Sequence, residues 1–386
     1  MKKILNVVFS TVMMTSLCML SSCATSDKEG IPHKGNKLLT SNISQIDSIN
    51  IDAIDTSTQG NFVMCGDTLY FADARNYGLH LYNLNGEYLG KKLREGQGPN
   101  ELSNLLYASG LSNSKDSIVL IDRSVKMYIY DTSKDSLMNL GNVDFGWSEE
   151  EQGYDSPGAY NIMEMTDFGI TFLKKGNGDI VFPVSIIKRL VGDKVDEDRY
   201  KKGHIFGNLA VKNMKVDNVF GQFPPFMLAN PTPGFEFFDY AYDATNRKYF
   251  VSFATDPNLY CVNDSGEIEY SFGEDAPGVK RTYTIGYNDP SETFGKDIQD
   301  GQIGCNTGVM YVADKDLVLR TTLLDFASGR VALQGYRDGN MILETEMPPY
   351  FKLLGYSNGE FVGCRFLPIE IDENTIAFRI YKFKVD

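Results

Sequence analysis

The chain has 386 residues, with 37 Lys and Arg against 51 Asp and Glu, for a formal net charge of −14. An acidic surface with no basic stripe repels phosphate backbones and argues against nucleic acid as a partner. The six cysteines show no C-x-x-C spacing, which argues against a zinc knuckle or a redox pair.

In chain order, the first signal is a leader. Lys2 and Lys3 precede a mostly apolar, acid-free run from Ile4 to Leu20, a length that suits a signal-peptide core and is marginal for a permanent membrane helix. It ends in Leu20-Ser21-Ser22-Cys23, which resembles the lipobox of bacterial lipoproteins. The resemblance implies a signal peptide over 1–22, lipidation of Cys23, and a mature chain held at the outer membrane by its acyl chains alone. The domain would then face the periplasm or the cell surface. Ala24 to Gly30 is polar and acidic. It is similar to the export tags of surface lipoproteins in Bacteroides-type bacteria, and it equally suits a plain solvated tether. Residues 23–37 are expected to be a flexible tether.

The body of the chain repeats. Asp67 to Leu89 reads as a strand closing on Asp73, a turn, a second strand ending at Asn83, and a third stretch after Asn85-Gly86. Asp116 to Leu137 follows the same plan, with Asp122 and Asp131 in the matching places, and so does Lys248 to Tyr270, with Asp256 and Asn263. Strands rich in Tyr, Phe, Val and Ile joined by Asn-Gly and Ser-Gly pairs are hairpin signals. A meander of short strands cannot bury both of its faces alone, and stacking copies around an axis solves this. Six copies are placed near 60–90, 105–140, 158–192, 235–273, 303–346 and 350–386. The expected fold is all-β: a six-bladed β-propeller of four-stranded antiparallel blades over residues 38–386. A strand within Leu38–Ile54 is expected to close the ring as the outer strand of the last blade. Residues 193–234 do not fit the repeat and are expected to form an insertion projecting from one face. Cys65, Cys261 and Cys364 sit in apolar strand-like runs, where buried free thiols are expected.

Between the first two copies, Arg94-Glu95-Gly96-Gln97-Gly98-Pro99-Asn100-Glu101-Leu102 resembles the R-x-G-x-G-P-G-E-[FL] signature of TolB-like and related six-bladed propeller lipoproteins of Bacteroides-type bacteria. Asn100 stands where that family usually has Gly, a mild change because Asn tolerates a positive φ. The resemblance implies fold and compartment but no common activity. Gly96, Gly98, Pro99, Asn100 and Glu101 read as a structural joint between blades, with Glu101 accepting backbone N–H bonds.

Chemistry is thinly marked. There are three histidines, His33, His80 and His204, and no G-x-S-x-G, so a Ser-His-Asp arrangement has no support. Propeller enzymes that hold calcium do so with channel carboxylates, for which Asp73, Asp122 and Asp314 are the candidates here. Asp73 and Asp122 recur with the repeat, however, as turn-capping residues do. Trp147 and Tyr154, beside the acidic run Glu149–Glu151, are candidates for a binding rim. Phe223 and Phe226, in an aromatic stretch that continues to Tyr240, are candidates for a hydrophobic lip. The leading functional reading is a non-enzymatic binding module for a peptide, glycan or partner protein. Its rivals are a metal-assisted hydrolase or lyase working in the channel and a scaffold subunit of an outer-membrane complex.

Overall fold

The computed structural model describes residues 30–386 except 54, 113, 149–152, 164–168, 188–189, 192–193, 196, 233–234, 284–302 and 373–374. The leader and Cys23 lie outside the described residues. The fold is all-β with a propeller-like arrangement. A first sheet runs in chain order through Gly60–Cys65, Thr68–Asp73, Gly78–Asn83 and Tyr88–Lys92. Next comes a nine-stranded fused sheet. Tyr107–Ser112, Ser117–Ile121, Lys126–Asp131 and Ser136–Asn142 form one half, and Phe172–Lys174, Ile180–Ile186, His204–Ala210 and Lys215–Gln222 form the other. Tyr160–Ile162 pairs onto Ile180–Ile186 beside this path. A third sheet holds Phe238–Asp243, Lys248–Phe253, Leu259–Asn263 and Ile268–Phe272, and a fourth holds Cys305–Val312, Leu317–Leu323, Val331–Arg337 and Asn340–Met347.

The closing sheet joins the two ends of the chain. Phe351–Ser357, Glu360–Arg365 and Thr375–Phe383 are completed at the edge by Asp47–Asp52, which pairs antiparallel with the final strand from Asp47 opposite Lys382 to Asp52 opposite Ala377. The strand expected within 38–54 therefore lies on the last sheet.

The sheets form because apolar residues alternate along strands and because the turns between them carry their own hydrogen-bond acceptors. Asn83 Oδ1 accepts from the backbone N–H of Asn85 and Glu87 at 2.9 and 3.0 Å, and Asn263 Oδ1 accepts from Ser265 and Glu267, both at 3.0 Å. Asp131 Oδ1 does the same for Ser133 and Lys134. One side-chain chemistry thus sets the same hairpin in the first and third sheets, and a related turn, with Asp135 in the left-handed position, in the fused sheet.

Each neighbouring pair of sheets encloses its own core. Val63, Leu79, Leu102, Ile118, Leu120 and Tyr130 pack between the first and fused sheets. Phe206 meets Phe238, Tyr240 and Tyr249 between the fused and third sheets, with ring centroids 4.9–5.5 Å apart. Phe250, Leu259, Phe272, Val318 and Tyr336 fill the next interface. Leu319, Leu333, Phe351, Phe361 and Phe383 fill the one after it. Ile51, Phe62, Phe71, Phe378 and Ile380 join the closing sheet to the first. Five interfaces follow one another and return to the start.

Two sequence expectations shift. Residues 33–37, expected within a flexible tether, lie along the edges of two sheets. His33 and Lys34 pair in parallel with Ser271 and Phe272 of the third sheet. Lys37 bridges to Met341 of the fourth and forms ion pairs with Glu344 and, at 3.4 Å, Glu274. An outer strand presents unpaired N–H and C=O groups, and passing backbone satisfies them. Residues 204–222, expected within an insertion, are two regular strands of the fused sheet. The true excursions lie between Ile186 and His204 and between Gln222 and Phe238, with short helices at Glu197–Lys202 and Pro225–Ala229. The third repeat therefore runs from Phe172 to Gln222 rather than over 158–192, because its second and third strands are separated by an excursion that hides the period.

Ring closure makes Ile51 a sensitive position, since it is 1% exposed and packs in the cluster that holds Phe378. Ile51→Ala is expected to lower unfolding stability by about 2–4 kcal/mol, read from urea denaturation. A loss below about 0.5 kcal/mol, the size of an ordinary surface change, would show that closure through Asp47–Asp52 contributes little.

Candidate functional site

The first strand of every four-strand run faces a common axis, and together these strands enclose a cavity of about 440 Å3. Phe62–Cys65, Tyr107–Ser112, Gly169–Thr171, Asp239–Tyr242, Thr307–Tyr311 and Lys352–Leu354 line it. The wall is rich in hydroxyl groups, from Ser109, Ser112, Ser114, Ser117, Thr171, Thr307 and Thr321, with Met64, Ile170, Met310 and Leu354 between them. Side chains bond across from strand to strand. Asn61 Nδ2 donates to the Ala108 carbonyl at 2.7 Å, and Tyr107 Oη accepts from the Ile170 N–H at 2.8 Å.

Asp239 is the one carboxylate among the described lining residues, and Lys352 the one side-chain ammonium. Asp239 Oδ1 accepts from Thr171 Oγ1 at 2.9 Å, and Oδ2 accepts from the Val309 N–H at 2.8 Å. One carboxylate on the third sheet therefore ties the fused sheet on one side to the fourth sheet on the other. Burial drives this carboxyl above its ordinary value. The bonds from Val309, Thr171 and the Tyr240 N–H, together with the charge of Lys352, pull the other way without cancelling the rise. Lys352 lies close to Gly169, where an added Cβ would come within 3.3 Å of Lys352 Nζ and 2.4 Å of Tyr107 Oη. Gly169 has a φ of +97°, so backbone freedom and absence of a side chain are both required there.

The candidate metal ligands are not brought together. Asp73 is fully buried at the turn after Thr68–Asp73, where it accepts from Ser57 N–H (2.6 Å), Arg75 N–H (3.0 Å) and Asn76 N–H (2.8 Å). Burial alone would raise its carboxyl, but these bonds outweigh that and hold it below the ordinary carboxylate value. Asp122 sits at the matching turn of the fused sheet and accepts from Ser124 and Lys126 N–H at 2.7 and 3.0 Å. Asp314 is exposed in a short 3-10 turn of the fourth sheet. Three different sheets hold them, and the first two are spent on capping their own backbone. Among the described residues no group of three or more His, Cys, Asp or Glu is arranged to hold a metal ion. The four described cysteines, Cys65, Cys261, Cys305 and Cys364, are buried free thiols.

The aromatic candidates divide. Trp147 is half exposed, stacks on Phe145 at 5.4 Å and donates Nε1–H to the Tyr160 carbonyl at 2.8 Å. Tyr160 Oη in turn donates to the Tyr154 carbonyl at 2.7 Å, so Trp147 and Tyr154 meet around one buried tyrosine. Phe223 belongs to the core instead. It is 7% exposed and packs against Tyr200 and Phe253 at 5.4 and 6.0 Å. A buried ion pair of Arg199 with Glu236, joined by Tyr200 Oη, pins this segment down. Phe226 is partly buried in the short helix Pro225–Ala229. Phe238 and Tyr240, at the end of the stretch, lie within a strand and fill the core between two sheets, and hydrophobic content alone could not distinguish such a core from a lip.

Arg94–Leu102 is a joint. Arg94 and Glu95 pair in parallel with Glu101 and Leu102, and Glu101 Oε2 accepts from the Gly98 N–H at 2.7 Å. Asn100, at φ +58°, accepts from the Leu137 N–H at 2.7 Å and donates to the Asp135 carbonyl at 3.1 Å. A Cβ at Gly96 would lie 2.0 Å from Glu101 Oε2. The side-chain amide of Asn100 thus anchors the joint to the fused sheet, which Gly at that position could not do. Sequence reasoning missed Asp239 and Lys352 altogether. Neither recurs with the repeat, and only the convergence of strands distant in sequence brings them to one axis.

No family model matches the chain, and no curated protein matches it. Among solved structures it is similar to a member of the DUF4221 family from Bacteroides vulgatus, at 12% identity and a TM-score of 0.64, over 90% of this chain and 99% of that one. It is also similar to a candidate exported protein from Bacteroides fragilis, at 12% identity and a TM-score of 0.52, over 92% and 99%. At such identities the likeness speaks for the fold.

The raised Asp239 carboxyl sets a pH dependence. Its folded form keeps the proton longer than the unfolded chain does, so stability is lost as pH rises from the ordinary carboxylate value through the raised one. Asp239→Asn is expected to remove this slope in urea unfolding measured across acid to neutral pH. Parallel wild-type and variant curves would contradict it.

Proposed function

We propose that this protein is a lipid-anchored, extracytoplasmic six-bladed propeller that acts as a binding module rather than an enzyme. Six blades follow if the fused sheet is counted as two. Its halves pair strand to strand through the short parallel contact of Phe172 with Leu111 and Leu173 with Ser112, and meet again where Asp144 bridges to Lys215, a sparser join than the antiparallel pairing within each half. The motif Arg94–Leu102 supports membership among six-bladed propeller lipoproteins. The basic, apolar leader ending at Cys23, and the likeness to the candidate exported protein from Bacteroides fragilis, support the compartment.

The observation that carries the binding reading is the state of the channel carboxylate. Both Asp239 oxygens are engaged by the wall itself, so this group organises the channel and is poorly placed to act as a base or nucleophile. Around it lie many hydroxyls; those of Thr171, Thr307, Ser109 and Ser114 donate within the wall and keep acceptor capacity, and others such as Ser112 complete the lining. Such a lining suits a small polar segment offering both donors and acceptors, a chemistry that peptides and glycans share. Lys352 contributes an amine to the same lining.

Two measurements test this. The protein is expected to take up an alkyne-tagged fatty acid and to lose that label in Cys23→Ala; labelling that survives the substitution, or its absence from the unsubstituted chain, would overturn the anchor. Screening peptide and glycan arrays is expected to give ligands that are recovered unchanged and whose affinity falls about tenfold or more in Lys352→Met, a loss of ~1.4 kcal/mol. Conversion of a ligand into product, or indifference to Lys352→Met, would overturn the channel reading.

A further inference from the structure

We propose that a second site, in the cleft between the fused sheet and the third sheet, binds a neutral oligosaccharide. The cleft opens at the end of the sheets opposite the long connections, has a volume of about 910 Å3, and is lined by Lys175, Asp179, Asn208, Asn218, Phe220, Tyr242, Arg247 and Asp264 among others. That volume lies within the ~300–1,000 Å3 range of ligand sites.

Three adjacent strands build one wall. Asp179 precedes Ile180–Ile186, and Asn208 and Asn218 face each other in register across the next two strands. Asn177 Nδ2 and Asn208 Nδ2 both reach Asp179 Oδ2, at 2.7 and 3.4 Å. The rest of this row is open. Among the described residues, Asp179 Oδ1, Asn208 Oδ1 and both ends of the Asn218 amide make no hydrogen bond. Phe220 stands two residues beyond Asn218 on the same side of its strand, partly buried. The two walls are tied together, because Lys175 shares a turn with Asp179 and reaches across to the third sheet. Asp264 takes Lys175 Nζ at 2.7 Å, Tyr242 Oη at 3.3 Å and the Arg247 guanidinium. Burial would raise its carboxyl, but those bonds outweigh the effect and keep it low.

Charge and shape select the ligand class. Lys175 and Arg247 balance Asp179 and Asp264, so neither an anionic nor a cationic ligand gains from the field of the cleft. A carboxylate oxygen beside two amides offers acceptors and donors at neighbouring points, which matches the adjacent hydroxyls of a sugar ring. Phe220 and Tyr242 add the apolar surface on which the C–H face of such a ring can lie. The site is separate from the channel, shares only Tyr242 with its lining, and does not rest on the function proposed for it.

The test uses the mature full-length chain. Maltotriose, xylotriose, mannotriose and chitotriose are titrated by calorimetry and saturation-transfer NMR, with tri-galacturonate as the charged comparison. At least one neutral trisaccharide is expected to bind at or below about 10 mM. Its affinity should fall at least about tenfold in Asn218→Ala and in Asn208→Ala and stay within about twofold in Lys352→Met. Asn218 is exposed, so its replacement leaves the core intact even where Phe220→Ala fails to fold. Absence of binding by all four neutral sugars, binding that survives Asn218→Ala, or tighter binding of tri-galacturonate would each overturn the proposal.

Discussion

A twisted sheet of four short strands has two apolar faces, and no single partner can cover both. The arrangement of the sheets in a returning series follows from that constraint. Each sheet buries one face against the preceding sheet and the other against the following one, which requires the series to return on itself. The antiparallel pairing of Asp47–Asp52 with Thr375–Phe383 completes the return by joining segments from the two ends of the chain. The Phe62, Phe71 and Phe378 cluster, with ring centroids 4.5–5.1 Å apart, is the core that this closure creates.

Apolar packing between sheets does not by itself fix how neighbours sit, because one apolar face slides over another at small cost. Buried polar groups supply the registration here. Arg320 is fully buried in the fourth sheet, yet its guanidinium donates to the Pro257 carbonyl at 2.7 Å and to Gln334 Oε1 at 2.5 Å, and it also reaches the Glu274 carbonyl. Pro257 and Glu274 belong to connections of the third sheet, so the arginine fastens one sheet to the next. Asn306 does the same through the Phe253 and Asp256 carbonyls. Asp239 does so at the axis, between its own strand, the strand that carries Val309 and the segment that carries Thr171. Removing water from such groups costs several kcal/mol each unless every bond is made, which makes them intolerant of any other alignment.

The two ends of the sheets differ in kind. At the end where the inner strands begin, the connections are long: 143–171, 187–203, 223–237 and 273–304 all leave from there. At the other end the strands are joined by short turns capped by Asn83, Asp131 and Asn263. Long connections have room to cover and to recognise, and Trp147 and Phe223 both lie in them. Short turns have little freedom to move, and the second cleft lies between two of them.

The all-β class, the hairpin period, the turn-capping role of Asp73 and Asp122, and the closing strand were legible in the sequence. All depend on neighbours a few residues apart or on alternation along a single strand, and these are local rules that the chain must obey wherever it folds. Positions such as Asn100, where a positive φ and a turn coincide, were legible for the same reason. What only the tertiary structure decided were the encounters between distant segments. His33–Lys37 left the expected tether because open strand edges were there to pair with. Residues 204–222 rejoined the sheet after an excursion that broke the period. Phe223 turned inward because Tyr200 and Phe253 were present to cover it. Asp239 and Lys352 met because strands more than a hundred residues apart share one axis. Local propensity carries no information about such meetings, since they are set by which surfaces remain to be buried once the strands exist.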